Sequence, residues 1–459
     1  MDDLPPELVY HILLWADALT LPVLRCVNDR WQGIVDAIVN CKATLSRCKR
    51  PHKKHACTLS ARCATHYALD LIACGRWNLL GWMTHCTNDY PPGNAMLHQE
   101  ICSAAASTGD LVRLQQQQQQ QRDQGRHEIP PSAYNGAALY GHLHVLQWAL
   151  GRGMLAKHRI CEYAAKGGHI DIIQWARDNG CPWNACVCAG AARAGHLTVL
   201  QWLRSNGCPW DNETCIYAAE HGHLDVLQWA YAHGCDLNYA VCSRAALSCH
   251  LHILQWARAH GCDWNDWVCR RAAEAGHLDV LQWARANGCP WTATACEWAA
   301  AGGHLLVLKW LRANGCPWNK HTCTKAASNG HLDVLVWARE NGCPWTNAVV
   351  DAAAIGGHVA ILDWISCHGH SPTDFIYHTG AYYGHLDVIK WARAKGLTWR
   401  KQLYMDAACN GHLTILQWIK ANGCPMPDRP SLLSAAHAYP TIRAWIDKEC
   451  HATDRIPSI

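Results

Sequence analysis

A histidine returns every 27 residues, eleven times in succession: His142, His169, His196, His223, His250, His277, His304, His331, His358, His385 and His412. A tryptophan follows each of them six residues later, from Trp148 and Trp175 to Trp391 and Trp418. A strict period of this length means one small supersecondary unit stacked many times, because so short a unit cannot bury its apolar face alone. The period overrides the division into about three globular domains that the chain length would otherwise suggest. Such an array works through its surface, and a group copied in every repeat is a poor candidate for catalysis.

One copy shows the unit. Thr294 to Ala301 favours a short helix with small residues where a neighbour must approach, and Gly302-Gly303-His304 breaks it, since glycine readily takes the left-handed conformation that ends helices. A second helix is expected from Leu305 to Ala313, closed by Asn314-Gly315, with Cys316-Pro317-Trp318-Asn319 as a turn. In the copy Leu278 to Ala286, an advance of 100° per residue places Leu278, Val280, Leu281, Trp283 and Ala284 on an apolar arc of roughly 220°. A surface helix needs a stripe of little more than ~100°. The arc therefore predicts cover on both flanks and a buried Trp283.

Half of the chain is apolar, and no apolar run is long enough to span a membrane. The start, Met1-Asp2-Asp3, lacks the basic-then-apolar pattern of a secretory signal, which places the protein inside a cell, in the cytoplasm. The 28 cysteines include two ladders with the same period, Cys181 to Cys343 and Cys161 to Cys323. Equivalent residues of stacked helices lie roughly 8–10 Å apart, too far for a disulfide, so the ladders read as reduced core packing. A net charge of +4 gives no basic footprint for nucleic acid. The basic run Arg47 to His55 reads as a solvated linker or, alternatively, a nuclear import signal. Each repeat offers a single histidine at its turn, which reads as a structural ring bonding backbone rather than a metal ligand; only Cys41, Cys48, His52, His55, Cys57, Cys63 and His66 could hide a zinc site. No catalytic residues, metal or cofactor are expected, and neither is a nucleic-acid or membrane partner; a monomer is expected.

The stretch Ala299-Ala300-Ala301-Gly302-Gly303-His304-Leu305-Leu306-Val307-Leu308, followed by Asn314-Gly315, resembles the ankyrin repeat. The period is shorter than that family's usual ~33 residues, and the missing residues fall in the loop, so projecting hairpin fingers should be shortened or absent. Short Cys- and Trp-rich copies of this kind are similar to those of giant DNA viruses infecting amoebae. Degenerate copies extend the array: Gly75 to Trp82, then Gly109 to Leu114 with the polyglutamine run Gln115 to Gln121, read as an exposed helix end or loop. At the other end Tyr439 to Trp445 keeps the offset, and Asp447-Lys448-Glu449 supplies a polar cap. The expected fold is all-α, an ankyrin-like helical solenoid of about fourteen repeats behind a small N-terminal helical segment. Its parts are degenerate repeats and the polyglutamine insertion at 58–134, regular repeats at 135–428, a cap at 429–450 and a tail at 451–459.

Residues 1–45 escape the period. Prolines suited to a first helical turn precede two amphipathic segments that bury too little to be stable alone. They dock on the first repeat as a cap, or they need a partner. The stretch resembles an F-box in Leu4-Pro5, Glu7-Leu8, Ile12-Leu13, Leu24, Val27 and Trp31, with Pro22 as a departure. That resemblance implies binding to the Skp-type adaptor of a cullin–RING ubiquitin ligase through Leu4, Pro5, Leu8, Ile12, Leu13, Leu24, Val27 and Trp31. A basic linker, 46–57, would join it to the array.

The repeats differ most six residues ahead of the histidine, where the column reads Tyr163, Gly190, Tyr217, Arg244, Arg271, Trp298, Lys325, Ala352. A core position would not range from Gly to Trp to Arg, so the column is expected on the exposed, concave side of the first helix. Tyr163, Tyr217, Arg244, Arg271, Trp298 and Lys325 are the target-binding candidates, being of the types that dominate interfaces. Gly369 to Phe375 departs from the repeat and carries the chain's single Phe. Together these features predict a non-enzymatic substrate receptor of a ubiquitin ligase, or a binding scaffold or decoy without ligase recruitment.

Overall fold

The computed structural model describes residues 95–123, 129, 133–155, 157–369, 375–399 and 402–453. The F-box-like segment, the basic linker, the Cys/His set from Cys41 to His66 and the degenerate copy Gly75 to Trp82 lie outside them. The chain divides into two compact units, Met1–Pro209 and Trp210–Ile459. The described part of the first unit holds four helix pairs, from Ala95–Ser107 with Leu111–Asp123 to Ala185–Arg193 with Leu197–Ser205. The second holds nine, from Asn212–Glu220 with Leu224–Ala232 to Arg429–Ala435 with Pro440–Thr453. Among the described residues the fold is all-α, a helical repeat array.

Local chemistry sets each boundary. Asn184, Asp211, Asn238, Asn265, Thr292 and Asn319 cap the first helices, each side chain accepting a hydrogen bond from the backbone N–H two residues on. The first helix then ends on a left-handed residue, as at Gly303 (φ +74°), and His304 N–H closes the turn on Ala299 O at 2.9 Å. Small buried residues on the first helix, such as Ala295, Cys296, Ala299 and Ala300, let neighbouring first helices stack directly on one another. The second helix contributes Val307, Leu308 and Leu311 to the same core.

Trp283 departs from expectation. Val280, Leu281 and Ala284 are buried, whereas Leu278 and Trp283 are half-buried. The core takes a narrower stripe of the helix than the sequence arc, and the indole instead packs edge-to-face, at 5.8 Å, on Trp264 of the preceding turn. The same pairing recurs as Trp210–Trp229, Trp291–Trp310 and Trp318–Trp337.

The cysteine ladders are free thiols and mostly buried, but they are not independent of one another. Each first-helix cysteine meets the one 20 residues later, at the end of its own repeat; Cys242 Sγ and Cys262 Sγ are 3.3 Å apart. The later thiol also donates to the carbonyl of the N-cap residue, as from Cys262 to Asn238 O (3.1 Å) and from Cys289 to Asn265 O (3.4 Å). This ties the last turn of a repeat to its first.

The polyglutamine run is not simply exposed. It continues the helix Leu111–Asp123, and Gln118 is buried, its amide on Met154 Sδ at 2.9 Å. At the other end, Glu449 and Asp447 reach back to Lys420 (2.5 Å) and Arg429 (2.6 Å), so the final helix is tied to the array by ion pairs.

Candidate protein-binding face

The histidines are architectural. In nine of the eleven, the ring's Nε2–H donates to the carbonyl at the end of the preceding repeat's first helix, as in His169 to Leu139 O (3.1 Å), His304 to Glu274 O (3.0 Å) and His331 to Ala301 O (3.0 Å). The ring also lies against the preceding repeat's left-handed glycine; a Cβ on Gly303 would stand 2.5 Å from Nδ1 of His331. The Gly-His pair is thus two halves of one contact, made between neighbouring repeats. Tyr439 takes the ring's place against Gly411, and Cys249 (φ +62°) replaces glycine in one copy. Burial, and then the neighbouring His252, hold the His250 imidazole below the ordinary histidine range. Burial pushes the Cys102 and Cys161 thiols up to about 12 and Cys424 up to about 11. In the pairs, the thiols of Cys215, Cys242, Cys269, Cys296 and Cys323 are pushed above the ordinary range, first by the bond to the partner sulfur and then by burial. Such thiols stay protonated and inert. Among the described residues no cluster of three or more His, Cys, Asp or Glu is placed to hold a metal ion, and no helix is long and apolar enough to cross a membrane.

The variable column does not lie on open surface. Tyr163, Tyr217, Arg244, Arg271, Trp298 and Lys325 are half-buried, and Gly190 and Ala352 are buried. The position sits in the seam between adjacent first helices, so its size answers to the neighbour: a Cβ on Gly190 would stand 3.2 Å from both Glu162 O and Lys166 Cγ. Side chains along the seam grip one another. Lys166 Nζ stands over Tyr163 at 5.0 Å, Arg244 pairs with Glu220 (3.3 Å), and Arg271 pairs with Glu274 (2.7 Å).

The open positions are those one helical turn earlier, ten residues ahead of the histidine. There Trp267 is 39% exposed and Phe375 50%. Six of the ten large apolar side chains found exposed among the described residues, Tyr239, Trp267, Ile355, Phe375, Tyr382 and Tyr383, lie on first helices of the second unit. Two clusters stand out on this face. Trp267, Arg270, Arg271, Trp298 and Lys325 interleave cations with indoles. Phe375, His378, Tyr382 and Tyr383 form a chain of rings with centroids 5.0 to 5.9 Å apart. Sequence reasoning named Arg271, Trp298 and Lys325 in the first cluster and missed Trp267 and Arg270; the signal was helical spacing, since positions three and four apart share a face. Of the departing stretch, Gly369 and Phe375 are described, and Phe375 begins the second cluster.

No known protein family matches the chain, and no curated protein matches it in sequence. Among solved structures it is similar to the human ASB11 ankyrin repeat domain, at 17% identity and a TM-score of 0.30 over 34% of this chain and 84% of that one. It is also similar to the maize pentatricopeptide repeat protein PPR10, at 13% identity and a TM-score of 0.32 over 100% of this chain and 74% of that one.

Proposed function

We propose that this chain is a protein-binding scaffold that captures a target on its first-helix face, and that it acts as the substrate receptor of an SCF-type ubiquitin ligase. The observation that carries the binding role is the concentration of exposed aromatic side chains on first helices of the second unit. Aromatic and Arg side chains gathered on one exposed face mark a protein interface more than any other use. The ligase role rests on the F-box-like pattern of residues 1–45, where Leu4, Pro5, Leu8, Ile12, Leu13, Leu24, Val27 and Trp31 would bury themselves against a Skp-type adaptor. The resemblance of the repeats to those of amoeba-infecting viruses supports a target in the cytoplasm of a host cell. The aromatic face supports equally a second reading, a scaffold or decoy that holds the target without recruiting a ligase.

Two measurements separate these readings. Purified Skp-type adaptor should bind the intact chain and lose it on Leu8→Asp combined with Ile12→Asp; an intact chain that fails to bind removes the ligase and leaves the scaffold. A photo-crosslinking residue at Phe375 or Trp267 should capture one and the same host protein. Capture from Leu306, exposed on a second helix, at the same level would refute the face.

A further inference from the structure

Arg270 is held between two indoles, its guanidinium 4.5 Å from the Trp267 ring and 4.4 Å from the Trp298 ring. Its Nε is buried without a hydrogen-bond partner, and among the described residues no carboxylate pairs with the group. Trp298 is approached a second time, from the following repeat, by Lys325 Nζ at 5.2 Å, and no carboxylate pairs with that cation either. The nearby carboxylates are already engaged: Glu274 holds Arg271 at 2.7 Å, and Glu297 accepts from Asn319 Nδ2 at 2.8 Å. Three successive repeats thus bring two uncompensated cations to one half-buried indole in the seam between first helices.

From this arrangement we infer that Arg270, Trp298 and Lys325 form an anchor for the carboxylate of an Asp or Glu in a segment of the target protein. The inference rests on the first helices being the binding side. A guanidinium fixed by stacking has lost its rotamer freedom before the ligand arrives, so its fork is presented to a carboxylate at reduced entropic cost. Charge decides the class of ligand. The first helices of these three repeats carry Arg270, Arg271, Lys320 and Lys325 against Asp266, Glu274 and Glu297, an excess of one positive charge. That balance suits a single carboxylate. A nucleic acid would need a continuous basic track and would meet Glu274 and Glu297 instead. The ring cluster Phe375, His378, Tyr382 and Tyr383, in the same unit, offers apolar purchase to residues elsewhere in the same segment.

A display library of random dodecapeptides selected on the intact chain tests this. Enriched peptides should share an Asp or Glu, and replacing it by Asn or Gln should weaken binding at least tenfold by fluorescence anisotropy. Arg270→Gln and Lys325→Gln should each cause a similar loss with an unchanged urea midpoint, and neither should add to the loss already caused in the neutralised peptide. Peptides that enrich without an acidic residue, or that bind Arg270→Gln as tightly as the native chain, overturn the anchor while leaving the face intact. Failure to enrich any peptide counts against the face itself. Displacement of the selected peptide by an equal concentration of a single-stranded RNA dodecamer overturns the carboxylate assignment in favour of phosphate.

Discussion

Replacing Gly303 by alanine tests the contact that joins one repeat to the next. Gly303 sits at φ +74°, where an L-residue costs ~1–2 kcal/mol. Its new Cβ would stand 2.5 Å from Nδ1 and 2.6 Å from Cε1 of His331, so the ring must shift. That shift strains the bond from His331 Nε2–H to Ala301 O, now 3.0 Å, whose loss costs about 1 kcal/mol. Stiffening of the unfolded chain returns ~0.4–1 kcal/mol. The expected net loss is about 2 kcal/mol. Gly315 is the matched control: its φ is +79°, but nothing lies within 4 Å of its Cβ direction, so Gly315→Ala carries the backbone strain alone, under ~1 kcal/mol net. Urea unfolding followed by tryptophan fluorescence reads the difference, with hydrogen exchange over residues 290–340 to localise it, since a repeat array need not unfold in one step. In a His331→Ala background the two alanine variants should cost the same. Equal losses from Gly303→Ala and Gly315→Ala with His331 present would refute the coupling. Cys249 has already made this substitution naturally. Its backbone has turned to φ +62°, against +74° to +87° for the equivalent glycines, and His277 still reaches Leu247 O at 3.0 Å. Cys249→Gly should therefore relieve strain and stabilise by about 1 kcal/mol.

Trp283→Ala should cost about 2–3 kcal/mol in the same assay, from ~100 Å² of lost burial and one edge-to-face contact; a loss beyond 4 kcal/mol would mean the indole is fully buried after all. Brief alkylation of the native chain followed by peptide mass mapping should label Cys186, Cys249, Cys367 and Cys409 among the described cysteines, and spare the paired ladders; labelling of Cys242 or Cys262 at a similar rate would contradict their burial. The depressed His250 pKa stabilises the fold fully above the ordinary histidine value of ~6.5, and the contribution is lost as pH falls through the depressed folded value. The fall in urea midpoint between pH 7.5 and pH 5.5 should accordingly be smaller in His250→Gln than in the native chain; an equal or larger fall would show that His250 carries none of it.

What the sequence disclosed was whatever repeats, because repetition averages away local noise. Helix boundaries, the left-handed glycines and the structural role of the histidine all follow from the composition of one unit and the need to stack it, whereas the Asn, Asp and Thr caps were read only as turn residues. The misses share a cause: each turned on how packed elements meet, within a repeat or between neighbours. Trp283 looked buried from its helical angle, yet the core stripe is narrower than the arc. The column of Tyr163, Tyr217 and Trp298 looked exposed from its variability, yet it occupies a seam whose size the neighbour sets, which is how glycine serves at 190 and tryptophan at 298. The thiol pairs were legible in principle, as a separation of 20 residues between the two ladders, but a comparison restricted to equivalent positions within one ladder passes over them.

The same distinction between what recurs and what does not separates scaffold from site. Cation–π contacts occur on both sides of the repeat. At the outer turns Arg177 stands over Trp183, Arg258 over Trp264, Arg285 over Trp291 and Arg312 over Trp318, all at 4.2 to 4.3 Å, and Arg258 and Arg285 also donate to the carbonyls of Cys262 and Cys289. A contact that recurs from turn to turn and satisfies its own donors is explained by the fold, and its removal should cost stability alone. Arg270 has neither property. It stacks on indoles from two first helices, leaves its Nε unsatisfied, and has no Arg or Lys counterpart in the other regular repeats, where the equivalent residues are Asn135, Glu162, Ala189, Ile216, Ser243, Glu297, Thr324, Asp351, His378 and Met405. Stacking costs the fold little, but a desolvated donor without an acceptor is a standing penalty that burial alone does not repay. An incoming carboxylate meets the Nη donors of a guanidinium already fixed by its stacking, and so the part of the array least explained by its own stability is the part best suited to an external anion.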